Sequence, residues 1–529
     1  MSTRSRLCVV AIGIVAFYSA IASALDFVVD DTFISLRYAE NFANGHGLVY
    51  NPGERVEGYS NFLWVILISA VISAFPDVDA FSAARILGIV SSAATILLLT
   101  AISSRLHPRL VLGNTIAALL LACSNSFAIW SVAGLEATFF ALTIAIALFA
   151  FSSDAETRRT TLIAGLAATL PSLVRADGFI IFFLLTGARL QTPLRRDVKW
   201  LRRENVLWIV PFAVIFFPYL AFRLSYYGYP LPNTYYAKVS FGLQDYVRGL
   251  EYLAQAFYEW GPLVFALMLL PLVKRRATPV LLASMWVAYG WLVYVVSVGG
   301  DVMPFFRFVV FIAPVIFLLA QEGILELLQW SRAVEPPLDP RLAKGWSFVA
   351  VAMLSVFLAR ETFRGFRNEN RHLKPYIHFV AKCEAAGRWL ESNTEKDALI
   401  AMTPAGATAY YSKRPVIDML GLNDLHIGHL QVEGPGIGWQ GHEKGDGEYV
   451  LSRRPEYILL GNVAVEPEAM TKEEVGESLL PFVSENEIWQ SEEFHASYEF
   501  LSIQIADSGP HQHFMLFKRK SADQAGSMQ

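Results

Sequence analysis

Charged residues are scarce in this chain. They account for 17% of its 529 residues, whereas a soluble globular domain carries about 25%. Hydrophobic residues make up 54% of the sequence, and the mean hydropathy is +0.40. This composition excludes an ordinary soluble protein and predicts a polytopic membrane protein. Positive charge is not in excess either, because the net charge is −4, and this argues against a nucleic-acid partner.

Cysteines and nucleotide-binding motifs are also rare or missing. Of the three cysteines, Cys8 and Cys123 lie in apolar segments and Cys383 stands alone far downstream. This pattern excludes a fold held together by disulfides. The sequence has no Walker A motif, no G-x-S-x-G elbow and no dinucleotide fingerprint, which argues against ATP-driven chemistry.

The charge balance changes at about residue 360. Segment 361–529 has 16 basic and 25 acidic residues, whereas segment 1–360 has 27 basic and 22 acidic ones. We therefore predict a membrane domain over 1–360 and a soluble domain over 361–529. The soluble part is predicted to be a small α/β domain, because a helical stretch at 381–393 precedes short apolar runs and an alternating segment at 497–505. Its last ten residues are predicted to be disordered.

Long apolar segments predict about eleven membrane-spanning helices, since a span needs about 20 mostly apolar residues. The first, 7–25, follows Arg4 and Arg6, which places the N-terminus in the cytoplasm by the positive-inside rule. A cleavable signal peptide is the alternative, but its apolar core would be shorter and would end in small residues. The other predicted spans are 86–104, 110–131, 137–153, 160–174, 178–188, 206–226, 257–273, 278–298, 305–325 and 346–360.

The apolar stretch 61–75 is short for a span. If it crossed the membrane, the basic clusters at 195–203 and 274–276 would lie outside the cell. If it lies on the outer membrane surface instead, both clusters fall inside, where the positive-inside rule places them. We therefore predict a surface helix at 61–75.

In this topology the polar loops fall on the outer side of the membrane. The first outer loop, 26–84, is the longest, and shorter ones lie at 133–138, 175–178, 226–240 and 299–307. The soluble domain follows the last outward span and is also predicted to lie outside. Any chemistry is therefore expected on the face away from the cytoplasm.

An acidic pair, Asp30 and Asp31, opens the first outer loop just before a helix predicted over 32–43. Adjacent carboxylates repel each other, which tends to raise the pKa of one of them. A raised pKa suits a general base that takes a proton from a hydroxyl group. The structural alternative is that Asp31 or Thr32 caps the helix and the neighbouring carboxylate is solvated.

Three outer loops each offer one cation: Arg175, Lys238 and Arg307. Together they are predicted to hold an anionic phosphate at the membrane surface by charge-assisted hydrogen bonds. The alternatives are structural. Lys238 belongs to the aromatic loop 233–238 and is equally typical of an interfacial lysine. Arg175 has Asp177 as a neighbour and Arg307 follows Asp301, and carboxylates so close to lipid are expected to be paired.

The remaining polar candidates are less specific. Glu136 lies at a span boundary, and Arg37 has Glu40 as an alternative surface partner. No spacing of acidic residues or histidines supports a metal site, so we predict neither a metal nor another cofactor. The histidines at 46, 426 and 429 are more typical of loops than of ligands.

With these residues in view, the sequence resembles the GT-C class of integral-membrane glycosyltransferases, and within it the terminal arabinofuranosyltransferases of mycobacterial cell-wall synthesis. The resemblance rests mainly on DDTFISLRYAENFANGHGLVYNPGERVEGYSNFLW at 30–64. Shorter matches follow in the family's order: LEATFF, RADG, LPNTYYAK, GGDVMPFFRF and IDMLGLND. The last hundred residues match nothing in the family.

The resemblance implies a bundle of spans with surface helices in the first outer loop and a soluble domain over the active-site cavity. It also implies that Asp30 and Asp31 match the family's acidic pair, one of which serves as catalytic base. By their charge and position, we assign donor phosphate or sugar binding to Arg37, Arg175, Asn233, Tyr236, Lys238, Asp301 and Arg307. Acceptor or pocket roles are assigned to His46, Glu57, Glu136 and Asp424.

The predicted function is transfer of a sugar, arabinofuranose by resemblance, from a polyprenyl-phosphate donor to a cell-envelope glycan, with inversion, on the outer face of the inner membrane. The acid activates the acceptor hydroxyl and the cations stabilise the departing phosphate. The alternatives within enzymes are mannosyl or other hexosyl transfer to protein or lipid A. A lipid-linked saccharide transporter and a non-catalytic sugar-binding scaffold are the alternatives from other classes.

Overall fold

The computed structural model describes residues 3–110, 113–153, 157–191, 203–238, 242–273, 277–333, 357, 360, 373–431, 441–478, 480–505 and 513–521. The chain divides into two compact units. The first contains 1–26, 84–221 and 243–371, and the second contains 27–83, 222–242 and 372–529. The first outer loop and segment 222–242, predicted within the membrane domain 1–360, thus belong to the same unit as the C-terminal part.

Helices account for most of the described chain up to residue 333. In chain order they are α1 Thr3–Ala24, α2 Asp30–Ala43, α3 Phe62–Ala74, α4 Ala80–Leu106, α5 Ile116–Ala122, α6 Asn125–Val132, α7 Ala137–Phe151, α8 Arg158–Val174, α9 Phe179–Gln191, α10 Arg203–Tyr227, α11 Asn233–Lys238, α12 Leu243–Trp260, α13 Pro262–Leu269, α14 Pro279–Ser297, α15 Arg307–Val310 and α16 Ala313–Ala333. Short 3₁₀ turns lie at Gly113–Thr115, Leu270–Val273 and Pro304–Phe306.

Within the described residues, four helices are long and apolar enough to cross a membrane, and the number rises to seven if each of three bent pairs is one span. The four are Ser5–Ala24, Ala80–Leu106, Glu204–Tyr227 and Pro279–Ser297. Shorter apolar helices are Phe62–Ala74, Ala137–Phe151 and Phe179–Gln191. These helices confirm a polytopic helical protein, while the count of eleven spans stays a prediction. The predicted last span, 346–360, lies outside the described residues except for Phe357 and Arg360.

Three of the predicted spans are broken rather than continuous. The predicted span 257–273 is bent by 102° between α12 and α13, where Gly261 adopts a φ of +96° and Pro262 opens the next helix. Proline fits the first position of a helix but cannot continue one, because it lacks an N–H donor. The predicted spans 110–131 and 305–325 are bent by 57° and 72°. Apolar composition predicted the segments but not the breaks.

Helix α3, predicted as a surface helix at 61–75, spans Phe62–Ala74. Its 13 residues extend about 20 Å at 1.5 Å per residue, which is short of the hydrocarbon thickness of about 30 Å. Trp64, Val65 and Ile68 are fully buried, and α3 packs on α2 within the second unit. The length agrees with the prediction, and its position on the membrane surface stays a prediction.

The second unit contains a mixed six-stranded sheet. Its strands are β1 Ile400–Met402, β2 Val416–Asp418, β3 Tyr457–Leu459, β4 Val465–Glu466, β5 Tyr498–Gln504 and β6 His513–Arg519. β1 pairs in parallel with β2 and β3, whereas β6 pairs antiparallel with β3, β4 and β5. In the parallel part, Ile400 lies opposite both Val416 and Tyr457. This sheet confirms the predicted C-terminal α/β region.

Helices cover the sheet and bury its apolar residues. They are α17 Leu373–Asn393, α18 Ala407–Ser412, α19 Leu425–Gly428, α20 Gly447–Ser452, α21 Lys472–Ser478, α22 Val483–Gln490 and α23 Glu492–Ser497. The first three strands are buried along their whole length, as parallel strands covered on both faces usually are. Ile417, Ile458 and Phe517 lie in the core with Phe494. The predicted disordered end, 520–529, lies outside the described residues beyond Ser521.

Candidate active site

The acidic pair forms the first turn of α2. The helix begins at Asp30, and its N-cap is Val29, which has extended φ/ψ and makes no side-chain capping bond. The structural alternative in which Asp31 or Thr32 caps this helix is therefore wrong. Carboxylates in a first turn are stabilised by the helix dipole, but that interaction leaves their oxygens available to other partners.

Asp30 makes its contacts with the loop that follows strand β1. Its Oδ1 accepts a hydrogen bond from the N–H of Ala407 at 2.7 Å. The loop packs so closely that a Cβ on Gly406 would lie 2.2 Å from the Asp30 carboxylate. Only glycine leaves room for this approach. No local pattern indicates this partner, because Asp30 and Ala407 are 377 residues apart.

Burial raises the pKa of Asp30 from 3.8 to about 7. The hydrogen bonds from Ala407 and Gly406 oppose the rise, whereas the charges of Asp31 and Asp418 add to it. The predicted repulsion between neighbouring carboxylates is therefore present, but desolvation is the larger cause. A carboxyl group with a pKa near 7 can exchange protons at physiological pH.

Asp31 faces a cation contributed by α11. Its Oδ2 lies 3.7 Å from Lys238 Nζ, and each side chain is about a quarter exposed, at 28% and 26%. Gly441 packs against the aliphatic part of Lys238, since a Cβ there would lie 3.3 Å from Lys238 Cγ. The two acids thus differ: Asp30 is held by backbone amides, and Asp31 by a partly solvated ion pair.

His442 is a further titratable group beside this ion pair. Burial and the charge of Lys238 together lower its pKa to about 4, and the charge of Asp31 opposes the change. The imidazole is therefore neutral at pH 7. Its Nδ1 is buried without a hydrogen-bond partner among the described residues. Sequence analysis missed His442, which follows a glycine-rich stretch with no recognisable motif.

Asp418 lies at the carboxyl end of strand β2 and is the other acid that acts on Asp30. Its oxygens accept hydrogen bonds from the backbone N–H groups of Leu420 and Asn423 and from the Asn423 side chain, at 2.8–3.0 Å. Burial raises its pKa to about 6. The signal that sequence analysis overlooked is an aspartate closing an apolar strand, since ligand-binding groups often follow parallel strands.

Two residues predicted to bind the donor, Arg37 and Asn233, make several buried structural contacts. Arg37 donates to the carbonyls of Tyr50, Ala409 and Arg414 and to the side chain of Asn51. It is 7% exposed and joins three segments, and its predicted phosphate contact stays a prediction. The alternative pairing with Glu40 is not observed, because Glu40 accepts from Tyr410.

Asn233, the other of these residues, is 3% exposed at the start of α11. Its Nδ2 donates to the carbonyls of Gly421, Leu422 and Asp424 at 2.8–3.2 Å, and its backbone N–H donates to the backbone carbonyl of Glu57 at 2.8 Å. These bonds fix α11, and with it Lys238, against the C-terminal segment. Asn233 therefore helps to position the cation, and its predicted sugar contact stays a prediction.

The remaining candidates of the second unit are separate from the acidic pair in their contacts. Glu57 forms a buried ion pair with Arg223, at 2.9 Å between Oε2 and Nε. His46 is exposed in the turn after α2, as expected for a loop histidine. The ring of Tyr236 stacks on His429 at 4.3 Å. Asp424 caps α19 and accepts from the Tyr449 hydroxyl.

The first unit holds the other predicted cations, and each is paired. Arg175 binds Asp177 through two hydrogen bonds, at 2.9 and 3.1 Å, and also binds Glu136. Arg307 binds Asp301 through two bonds, at 2.7 and 3.0 Å. These are the predicted structural pairs. The first cluster carries a net negative charge, which disfavours a second role as a phosphate site.

Among the described residues, no group of three or more histidine, cysteine, aspartate or glutamate side chains is placed to hold a metal ion. The prediction that the chain needs no cofactor stays a prediction.

A family model described as a domain of unknown function (DUF8728) matches residues 371–515. No curated protein matches the sequence. The match covers the part of the chain that supplies Ala407, Asp418 and His442 to the candidate site.

Solved structures share the fold at low sequence identity. ArnT from Cupriavidus metallidurans, bound to undecaprenyl phosphate, is 13% identical with a TM-score of 0.54, over 78% of this chain and 85% of that one. The oligosaccharyltransferase of Archaeoglobus fulgidus is 12% identical with a TM-score of 0.56, over 97% of this chain and 75% of that one. The predicted GT-C-type fold is thereby confirmed.

The mycobacterial arabinofuranosyltransferase AftD is also similar, with 12% identity and a TM-score of 0.49. This chain spans 40% of the AftD chain. A likeness at this level carries no argument about the sugar.

Proposed function

We propose that this protein is a membrane glycosyltransferase that moves a sugar from a polyprenyl-phosphate donor to a glycan acceptor. The proposal rests on one observation above others: a carboxyl group, Asp30, whose pKa is raised to about 7 next to an acid paired with a cation. The fold supports it, because the similar structures include ArnT bound to undecaprenyl phosphate and the Archaeoglobus fulgidus oligosaccharyltransferase, AglB, in complex with a dolichol-phosphate.

Asp30 serves as the general base in this proposal. It takes the proton of an acceptor hydroxyl while the hydroxyl oxygen forms a bond to the anomeric carbon of the donor. The bond between that carbon and the phosphate oxygen breaks, and the phosphate leaves with the bonding electrons. Attack opposite the leaving group inverts the anomeric configuration. A base with a pKa near 7 is ionised often enough to accept the proton and basic enough to hold it.

Lys238 is the cation best suited to the departing phosphate. Its ammonium group is partly exposed and bound to Asp31 at 3.7 Å, so it can be shared with an incoming anion. Arg175 and Arg307 hold carboxylates through two bonds each and are less available. Negative charge grows on the phosphate in the transition state, and a fixed cation stabilises it there more than in the ground state.

The donor sugar and the side of the membrane are proposed from the sequence. We propose arabinofuranose as the donor sugar because the acidic stretch at 30–64 resembles that of the arabinofuranosyltransferases, and a hexosyltransferase on the same fold is the alternative. The outer face is proposed because the basic clusters 195–203 and 274–276 favour the cytoplasm. A donor carried on lipid suits that side, since nucleotide-activated sugars are made inside the cell.

The test is a transfer assay with purified full-length protein. The protein is incubated with polyprenyl-phosphate sugars of the arabinofuranosyl, mannosyl and other hexosyl types together with a glycan acceptor, and donor consumption is followed by mass spectrometry. We expect one donor to be consumed by the wild type and transfer to be lost in Asp30→Asn.

The matched variants separate catalysis from structure. Asparagine keeps an oxygen that can accept the Ala407 N–H, whereas alanine does not. If Asp30 only caps α18, Asp30→Asn retains activity and Asp30→Ala loses it. If Asp30 is the base, both are inactive although Asp30→Asn is folded. Undiminished transfer in Asp30→Asn would reject Asp30 as the base, and undiminished transfer in both Asp30→Asn and Asp31→Asn, each tested alone, would reject the mechanism.

A further inference from the structure

The second unit contains a cleft that the acidic pair does not line. Its volume is about 670 Å³, and its walls come from segment 54–56, Tyr229, residues of 423–430, Tyr449 and Arg453. Binding sites for small ligands commonly measure about 300–1,000 Å³. The cleft is therefore large enough for a ligand of two or three small rings. We refer to it as the Tyr449 cleft.

Flat rings form much of the cleft wall. His426 stacks on Tyr449 with their centroids 4.1 Å apart and their planes at 23°. His429 lies 4.3 Å from the Tyr229 ring and is backed by Tyr236 on another side. Such stacks hold each ring in place, so the cleft presents rigid rings with apolar faces and polar edges to a ligand. The face of a sugar ring, which presents C–H groups, fits a surface of this kind.

A hydrogen-bonded chain of polar groups crosses the same wall. Arg453 Nη1 donates to the Tyr449 hydroxyl at 2.7 Å, and that hydroxyl donates to Asp424 Oδ2 at 3.0 Å. Arg453 Nη2 also lies 3.5 Å from Glu54. A carboxylate can accept two hydrogen bonds side by side, and a guanidinium group can donate two. Adjacent hydroxyl groups of a saccharide offer the matching pairs.

Apart from His426, whose Nε2 lies 2.7 Å from Asp446 Oδ2, the charged groups of the wall balance. Glu54 and Asp424 contribute two negative charges and Arg55 and Arg453 two positive ones. His429 adds none at neutral pH, because burial and Lys444 lower its pKa. Its buried Nε2 has no hydrogen-bond partner among the described residues. A balanced wall gives no net attraction for a phosphate, whereas a neutral polyhydroxylated molecule meets donors, acceptors and rings.

We propose that the Tyr449 cleft binds a neutral saccharide, which forms part of the acceptor glycan. Saccharide binding follows from the stacked rings, the polar chain and the balanced charge. Only the assignment to the acceptor rests on the proposed function. Asp424, predicted from the sequence as a pocket residue, anchors the Tyr449 hydroxyl in this site.

The test measures binding without turnover. Full-length protein is held in a detergent without a sugar headgroup, so that the detergent does not compete. Saturation-transfer NMR and calorimetry then follow the binding of three neutral probes, the methyl glycosides of arabinofuranosyl, galactofuranosyl and mannosyl disaccharides, with inorganic phosphate as the anionic probe. We expect at least one disaccharide to bind and phosphate to give no signal from the cleft.

The variants are His426→Ala and Tyr449→Ala, each expected to weaken disaccharide binding at least tenfold. His426 is exposed; because its Nε2 also contacts Asp446 Oδ2 at 2.7 Å, the fold of His426→Ala is checked by thermal unfolding. His495→Ala is the matched control, because His495 is an exposed histidine of the same unit that does not line the cleft. The proposal is overturned if no disaccharide binds, if phosphate alone binds, or if both cleft variants bind like the control.

The experiment separates this proposal from the function itself. Disaccharide binding that is lost in the cleft variants, in a protein that transfers no sugar, supports the cleft and rejects the glycosyltransferase. Sugar transfer by a protein whose cleft variants bind acceptor disaccharides as well as the wild type does supports the glycosyltransferase and rejects the cleft. Asp30→Asn is expected to keep disaccharide binding, since Asp30 does not line the cleft.

Discussion

Replacing Asp30 by asparagine should stabilise the protein at high pH and have a smaller effect at low pH. The carboxyl group has a pKa of 3.8 when unfolded and about 7 when folded. Between these values the folded chain binds more protons than the unfolded one, so stability falls as pH rises from about 4 to about 7. Asparagine carries no charge at any pH and avoids this loss.

The magnitude follows from the size of the pKa shift. Each pH unit within the interval costs about 1.4 kcal/mol, so the two units from pH 5 to pH 7 correspond to about 2.7 kcal/mol. Asp30 is half-buried, and solvent screening reduces the effect. We expect the advantage of Asp30→Asn to be about 1 to 2 kcal/mol larger at pH 8.5 than at pH 5.

The assay is thermal unfolding of the full-length protein in detergent at both pH values. The quantity compared is the melting temperature of each variant minus that of the wild type at the same pH, which cancels the titration of other groups. Asp77→Asn is the control, because Asp77 is an exposed aspartate of the same unit. An advantage for Asp30→Asn that is equal at pH 5 and pH 8.5 would refute the reasoning, because the folded carboxyl group would then not hold a proton.

Two further substitutions test the packing around the site. Gly406→Ala should destabilise the protein by about 1–3 kcal/mol in thermal unfolding, because the new Cβ would lie 2.2 Å from Asp30; Gly13→Ala, with nothing within 4 Å, should have little effect. Arg223→Met should cost about 3–5 kcal/mol, since it leaves the buried Glu57 without its partner. Adding Glu57→Gln to Arg223→Met should recover part of the loss, and a double variant no more stable than the single one would contradict the pairing.

Helices and short strands, which depend on local composition, were predicted well from the sequence. Apolar runs located the helices, and short β-branched or aliphatic runs located β1, β2 and β3. Both signals are local, because the hydrophobic segments report burial over a few neighbouring residues. The breaks at Gly261 and at 123–124 were missed, since continuous apolar composition does not show where a helix bends.

The acidic pair was found because it is contiguous, whereas its partners are not. Ala407, Asp418 and His442 reach Asp30 and Asp31 from the far end of the chain. Nothing in local pattern links residues separated by more than 370 positions. Charge alone was also a poor guide to role.

Arg37 illustrates the last point. It is a cation six residues after Asp31, which made a phosphate contact reasonable, yet its N–H groups are satisfied by carbonyls of Tyr50, Ala409 and Arg414. Buried guanidinium groups need such partners. From the sequence, a free cation and one that joins backbone segments look the same.

The C-terminal segment contributes several groups to the candidate site. It supplies the amide that holds Asp30, the buried Asp418 that helps raise the pKa of Asp30, and His442 beside Lys238. The segment that a family model describes only as a domain of unknown function, 371–515, therefore sets the electrostatics of the acidic pair. Removing the segment would expose Asp30 to water and return its pKa towards 3.8, since desolvation is the main cause of the shift. A carboxylate that weakly basic would be a poor acceptor for a hydroxyl proton, so truncation should abolish transfer even if Asp30 and Asp31 are present.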